Sequence, residues 1–232
     1  VITRPNQYVG VVTYTGSGNS SQDIIFGFKP DFGWTKSRTT AENHGLFDSV
    51  RGLPKFLRSD TNAAEYTLAA GTPVSFISNG INFTNGSGEI NESTRGYVAW
   101  AWKAGGDKNT FNVDDIGYAS AAAAGLDGGS INPTGASVGT EQGFSITTIT
   151  TPSSAGAYTV SHGLTKAPDF IIYRIYDQSM SWYVWHQGYG AANKYMLLNS
   201  TNSVNSGTYV FNNTLPTASV ITDYADNSNH HN

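Results

Sequence analysis

The sequence predicts an all-β chain made of two related antiparallel β-sandwich units, and three observations carry that prediction. Aromatic residues make up 12 % of the 232 residues. Such side chains fit the pleated, half-buried surface of a strand better than the crowded turns of a helix. Apolar residues alternate over short runs divided by Gly-, Asn- and Ser-rich turns, and no segment sustains a helical period. Finally, one sequence pattern occurs twice. Many short strands at regular spacing favour sandwiches, the lectin-like form among them.

In the first unit the strands are expected at 8–14, 23–28, 32–38, 45–50, 55–58, 74–78, 81–83 and 97–103. Thr15-Gly16-Ser17-Gly18-Asn19 reads as a turn after the first strand. Asn79-Gly80 is the strongest two-residue hairpin signal in the chain. In the last strand Val98, Trp100 and Trp102 fall on one face and Tyr97, Ala99 and Ala101 on the other. Apolar residues on both faces predict a central position in a sheet.

The repeat is found by an offset. Lys29-Pro30-Asp31-Phe32 returns as Ala167-Pro168-Asp169-Phe170, 138 residues later, and the same offset holds from Pro30 to Gly52 and Gly190. After one inserted residue, Lys55-Phe56-Leu57 meets Lys194-Tyr195-Met196. After another, Thr61-Asn62 meets Thr201-Asn202. Upstream, Gly10-Val11-Val12-Thr13 resembles Gly143-Phe144-Ser145-Ile146. Order and hydrophobic pattern are shared while identities are few, as after an old duplication. The second set of strands is expected at 144–150, 157–162, 170–176, 182–186, 194–198, 208–211 and 219–224. No counterpart of strand 97–103 follows, which predicts a second unit truncated at its C-terminus. The domains are therefore expected at 1–106 and 143–232. Between them, 107–142 is a linker rich in Gly, Ala and Ser, with about two helical turns at 118–124 ended by Gly125.

Composition limits function. Charged residues are only 13 % of the chain, against roughly a quarter in ordinary globular proteins. Asn, Ser, Thr and Gly must carry its solubility, as on surfaces packed into assemblies or exposed outside cells. The net charge is −4 with no basic run, which argues against nucleic-acid binding. No apolar stretch is long enough for a membrane-spanning helix. Cysteine is absent, so thiolate metal sites and disulfides are excluded. The chain opens on Val1-Ile2-Thr3-Arg4-Pro5, with neither a Met nor an apolar signal core, and is read as processed or as a fragment.

No catalytic constellation stands out, and the chain is expected not to be an enzyme. His44 and Asp48 share a strand face, but their positions become Trp182 and His186 in the second copy, which favours a polar contact over a dyad. The carboxylates Asp48, Asp60, Glu65, Glu89, Glu92, Asp114 and Asp115 are scattered, not paired in a run that suggests a sugar cleft. Asp114-Asp115 reads as a solvated turn. His230-His231 is the only adjacent histidine pair and predicts no metal site, and no cofactor is expected. Asp48-Ser49-Val50-Arg51-Gly52 is a polar turn whose Asp and Arg should tie the loop together, with the closing glycine at positive φ. In Ser181-Trp182-Tyr183-Val184-Trp185-His186 one aromatic set must face outward or into a second layer. Tyr183, Trp185 and Tyr189 are the candidate ligand-binding residues, as stacking surfaces for a glycan.

Four stretches carry a family resemblance. They are Tyr14-Thr15-Gly16-Ser17-Gly18, Gly27-Phe28-Lys29-Pro30-Asp31-Phe32, Leu46-Phe47-Asp48-Ser49-Val50-Arg51-Gly52 and Tyr97-Val98-Ala99-Trp100-Ala101-Trp102-Lys103-Ala104-Gly105-Gly106. Gly163-Leu164-Thr165-Lys166-Ala167-Pro168-Asp169-Phe170 and Lys194-Tyr195-Met196-Leu197-Leu198-Asn199 resemble the companion repeat. Together they look like a module of tail-fibre-like and other virion structural proteins of phages infecting marine and other environmental bacteria. The resemblance implies a structural component of a virion fibre or appendage, with other virion proteins as partners and host attachment as a contribution. By fibre analogy it implies a homo-oligomer, with a trimer the usual form. The rival expectations are a lectin-like carbohydrate-binding module recognising a host surface glycan, a polysaccharide depolymerase and a bacterial surface adhesin.

Overall fold

A computed structural model describes residues 4–18, 20–69 and 74–225. The chain is all-β. Its strands are β1 (Val9–Thr15), β2 (Gln22–Ile25), β3 (Phe32–Ser37), β4 (Gly45–Asp48), β5 (Lys55–Phe56), β6 (Tyr66–Thr67), β7 (Val74–Ile77), β8 (Gly80–Phe83) and β9 (Gly96–Trp102). They continue with β10 (Phe111–Val113), β11 (Ile116–Tyr118), β12 (Gly135–Gly139), β13 (Phe144–Thr148) and β14 (Gly156–Ser161). The last are β15 (Phe170–Tyr173), β16 (Tyr183–His186), β17 (Lys194–Leu197), β18 (Asn205–Ser206) and β19 (Val220–Ala225). The mostly antiparallel sheets are arranged like a four-bladed propeller.

The first unit pairs its strands in the order β1-β9-β3-β4, with a second sheet β2-β8-β7. β9 is central, as its two apolar faces predict. Tyr97, Ala99 and Ala101 are 0 % exposed on its inner face. There the two sheets share one core, in which Ile24, Ile81, Phe83 and Val74 from one meet Phe47, Ala99 and Ala101 from the other. Phe47 and Phe56 stack with centroids 4.7 Å apart. The β7–β8 hairpin differs by one residue from the sequence expectation: Ile77 pairs with Gly80, so Ser78-Asn79 forms the loop and Gly80 lies in the strand. The glycine is needed there because a Cβ would sit 2.1 Å from the Ile24 carbonyl oxygen of β2.

The duplication is visible as repeated register. β3 pairs Phe32, Gly33, Trp34 and Thr35 with Asp48, Phe47, Leu46 and Gly45. β15 pairs Phe170, Ile171, Ile172 and Tyr173 with His186, Trp185, Val184 and Tyr183, every residue shifted by 138. The flanking bond repeats too: the Ser49 amide donates to the Asp31 carbonyl, and the Gln187 amide to that of Asp169. Lys55 faces Thr67 and Lys194 faces Ser206, both shifted by 139. In the second unit β15-β16-β17-β18 form one sheet and β14-β19 another. Ile171, Trp185 and Tyr195 of the larger sheet pack on Val210 and Phe211 and on Ile221 of β19.

Three regions depart from expectation. The linker expected over 107–142 is folded. β10, β11 and β12 lie within it and join β13 in a sheet of order β11-β10-β12-β13, whose β10–β12 pair is parallel. Its own core holds Phe111, Ala121, Leu126, Ala136 and Val138. Gly129 and Gly135 lie against the Thr159 backbone and the Val50 and Thr148 side chains, so part of the glycine content that composition reads as flexibility marks close packing. The helix at 118–124 reduces to one hydrogen-bonded turn, in which the Leu126 amide donates to the Ala121 carbonyl. The strand expected at 208–211 is a 3-10 turn over Val210–Asn213, with Phe211, Asn212 and Asn213 at φ 52°, 44° and 48°. His230 and His231 lie outside the described residues.

The two units meet through equivalent faces. Phe32, Trp34, Leu46 and Leu57 of the first pack against Ile172, Tyr176 and Trp182 of the second. The Trp182 indole donates to the Arg58 carbonyl at 2.7 Å, and the Glu65 amide to the Tyr176 carbonyl at 2.6 Å.

Candidate functional site

The aromatic residues singled out from sequence face inward. Trp185 is 3 % exposed and its indole donates to the Ala191 carbonyl at 3.1 Å. It is a core residue and offers no face to a ligand, so the stacking role expected of it is corrected. Tyr183 stacks on Tyr173 with centroids 5.3 Å apart and, like Tyr189, packs half-buried against the same core. Alternation puts Tyr183 and Trp185 on one face of β16, and tertiary packing makes that face the inner one.

The aromatic surface that does look outward is on the first sheet. Along β1 the outward residues are Val9, Val11, Thr13 and Thr15, all exposed, and Val11 reaches 59 %. The register lines Val11, Trp100 and Trp34 across three strands, flanked by the rows Val9–Trp102–Phe32 and Thr13–Val98–Lys36. Trp34 and Trp100 meet edge to face at 6.1 Å. The Trp34 indole donates to His44 Nδ1 at 2.8 Å, which fixes its ring plane. Burial holds the His44 imidazole below its ordinary pKa, against the pull of Asp60, and so keeps Nδ1 available as an acceptor. Phe144 closes over Phe32 and Trp102, and the second unit covers the β3–β4 end. The open part of the face is therefore Val9, Val11, Thr13, Val98 and Trp100. Sequence alternation located these residues, but it could not say which side of β9 is covered.

The acidic residues hold the chain together. Asp48 Oδ1 accepts the amides of Val50 and Arg51, and its Oδ2 pairs with Arg51 Nε at 2.6 Å. Arg51 Nη1 reaches Glu65 at 2.8 Å and Nη2 reaches the Leu46 carbonyl. This is the loop-tying role read from the sequence. The closing glycines also conform, Gly52 at φ 85° and Gly190 at φ 70°. Glu89 accepts from Arg58 Nε at 2.6 Å and from the Tyr66 hydroxyl. Burial nonetheless raises its pKa, with Arg58 opposing. His44 and Asp48 make no dyad, since each is committed to a different partner.

Asp31 was not singled out by sequence, yet its carboxylate accepts three hydrogen bonds, as many as that of Asp48. It accepts the amides of Ala104 at 2.7 Å and Gly106 at 3.2 Å and the Ser49 hydroxyl at 3.2 Å, bolting the end of β9 to the hairpin loop after β4. Burial raises its pKa and the two amides oppose the rise. The available signal was the recurrence of Pro-Asp-Phe at the repeat offset. Its equivalent, Asp169, is not buried.

Asp114 and Asp115 line a cleft of about 350 Å³ with Tyr8, Lys103, Thr140 and Glu141. Both have positive φ, at 48° and 65°, as the central residues of the β10–β11 hairpin. Asp114 accepts the Thr140 amide and hydroxyl, and Asp115 pairs with Lys103 at 2.6 Å. Among the described residues no group of three His, Cys, Asp or Glu side chains is placed to hold a metal ion. No helix there is long and apolar enough to cross a membrane.

A family model described as a domain of unknown function, DUF7483, matches residues 4–232. The chain belongs to the DUF7483 family. No curated protein and no solved structure matches it. The match spans both repeats and the sheet between them, so this DUF7483 chain carries its outward aromatic face and its tied loops within one family unit.

Proposed function

We propose that this DUF7483 chain is a structural β-module of a bacteriophage fibre or similar appendage that works by apposing its first sheet to another surface. The observation that carries this reading is the outward patch of exposed Val9 and Val11 with half-buried Trp100 opposite Val11 on a four-stranded sheet. An apolar stripe of this kind on a stiff scaffold marks a contact surface. The resemblance of the first-unit motifs to virion structural proteins supplies the phage setting, with extracellular particles as the location and sister subunits or other virion proteins as partners. We read the two sheets over a shared core in each unit as a lectin-like sandwich. A homo-oligomer, a trimer by fibre analogy, fits the low charge of the surface.

The second reading is carbohydrate binding, favoured by Trp100 on the open part of the face with Thr13 beside it. Indole faces stack on sugar rings, and flanking hydroxyls supply hydrogen bonds.

The test is binding of labelled protein to intact host cells, with and without competing surface polysaccharide, alongside light scattering. Saturable binding abolished by polysaccharide and by Trp100→Ala supports the glycan reading. A defined oligomer that dissociates in Trp100→Ala, with no cell binding, supports the scaffold reading. A folded monomer that binds no cells defeats both.

A further inference from the structure

The hydrogen bond between Trp34 and His44 ties together three parts of the molecule. Trp34 lies in β3, and its ring meets Trp100 edge to face at 6.1 Å. It also packs against the cluster of Leu46, Leu57 and Trp182, where the second unit docks on the first. His44 stands immediately before β4, and its Nδ1 accepts the Trp34 indole N–H at 2.8 Å. The protonation state of one imidazole therefore bears on a ring that touches both Trp100 of the open face and the joint between the units.

That bond exists only with a neutral ring. An indole nitrogen can donate but not accept, so His44 Nδ1 must carry its lone pair and the proton must sit on Nε2. Protonation of Nδ1 sets two N–H groups head to head. The ring geometry adds to the conflict. The two rings stand edge-on, with 64° between planes and 5.8 Å between centroids. An imidazolium there faces the positive N–H edge of the indole and not its negative face.

A second partner lies alongside. Asp60, in the loop between β5 and β6, accepts the His44 backbone amide on Oδ1 at 3.1 Å. The charges that act on His44 come from two elements. Burial is the largest influence and favours the neutral ring, Asp60 favours the charged one, and Lys36 of β3 opposes it. The side chain thus has two arrangements of different charge: neutral and bonded to Trp34, or charged and turned to the Asp60 carboxylate.

We propose that His44 is an acid-released latch, in which uptake of one proton breaks its bond to Trp34, turns the imidazolium toward Asp60 and loosens the Trp34–Trp100 pair beside the open face. Its relevance to attachment rests on the contact-surface reading above. The latch itself is a property of the isolated chain and needs no partner.

The experiment is a pH titration of the full nitrogen-15-labelled chain by NMR, from about pH 8 to about pH 4.5, across the range in which histidine changes charge. It follows the indole N–H signals of Trp34 and Trp100 and the ring protons of His44. Trp34→Phe and Trp100→Phe assign the indoles. The expected result is that all three move with one midpoint below 6.5, the Trp34 signal upfield as its bond is lost. His44→Gln retains an acceptor for the indole but cannot titrate, so both indole signals stay still. Asp60→Asn retains the acceptor for the His44 amide but removes the charge, and it lowers the midpoint. His162 and His186 are bonded elsewhere, at Thr217 and Gly188, so loss of the shift in His44→Gln identifies the group. Four results overturn the proposal. One is a Trp34 signal that stays fixed while His44 titrates. Another is an indole shift that persists in His44→Gln. A third is an unchanged midpoint in Asp60→Asn. The last is a Trp34 shift without response from Trp100, which leaves the face unaltered. Absence of cell binding or of an oligomer defeats the contact reading and changes none of these signals.

Discussion

Asp223 should make the stability of this chain fall as pH rises, opposite to the behaviour of an ordinary paired carboxylate. It lies in β19, 7 % exposed, where it accepts the Tyr158 hydroxyl at 3.0 Å and the Phe211 amide at 3.2 Å. Burial pushes its carboxyl from the ordinary 3.8 up to about 6, and the hydrogen bonds from Tyr158, Tyr224 and Phe211 recover only part of that cost. The folded state therefore holds a proton that the unfolded chain has already released between those values. The stabilisation is complete below pH 3.8 and is lost as pH rises through about 6. At about 1.4 kcal/mol per factor of ten in proton affinity, the loss comes to about 3 kcal/mol. Asp223→Asn keeps an acceptor for the Phe211 amide and cannot ionise. Its cost relative to the parent chain should therefore be largest at low pH and smaller by about 3 kcal/mol above pH 7, where the variant can be the more stable of the two. Urea unfolding of both proteins from pH 3.5 to pH 8, followed by tryptophan fluorescence, measures the difference directly, and carboxylates common to both cancel. A stability difference that does not vary with pH would refute the reasoning. The same carboxylate also holds the Phe211 amide in the left-handed turn, so cross-peaks of residues 210–213 should shift with the same midpoint.

Arg51→Ala leaves the buried Asp48 carboxylate without its cation, while Glu65 keeps Lys55 at 3.4 Å, and should cost about 3–5 kcal/mol in urea unfolding; a loss under about 1 kcal/mol would show that water replaces the guanidinium. Gly80→Ala and Gly190→Ala separate two reasons for glycine. The first places a methyl against the Ile24 carbonyl and should cost more than the second, where φ is positive but no atom lies within 4 Å, and about 1 kcal/mol is expected. Equal costs would mean that β8 moves away from β2. Trp185→Ala should lower stability by about 3–5 kcal/mol through its core cavity and lost Ala191 bond. If the variant is instead as stable as the parent but loses cell binding, Trp185 has a recognition role after all.

Much of the local structure was legible without coordinates. Alternation located most strands, placed Tyr97, Ala99 and Ala101 opposite Val98, Trp100 and Trp102, and identified β9 as central. The Pro-Asp-Phe recurrence gave an offset that the ladders of β3–β4 and β15–β16 reproduce residue for residue. The Asp48–Arg51 loop and the two closing glycines were readable because their geometry is local: a side chain three residues from its partner needs no knowledge of the rest of the fold. The sheet at 111–148 was not readable. Its strands are short, and its β10–β12 pair is parallel across many intervening residues, which leaves no periodic trace.

The sequence by itself determined the all-β character of the chain, its duplication and the faces on which each aromatic residue falls. Which face is covered was decided by tertiary structure. Trp185 is buried because Phe211 and Ile221 close over its side of β16, and Trp100 is left open because the second unit docks only over the β3–β4 end of the first sheet. Alternation encodes a two-fold choice of side, and only the packing of one sheet on another, which depends on residues far away along the chain, selects between the two.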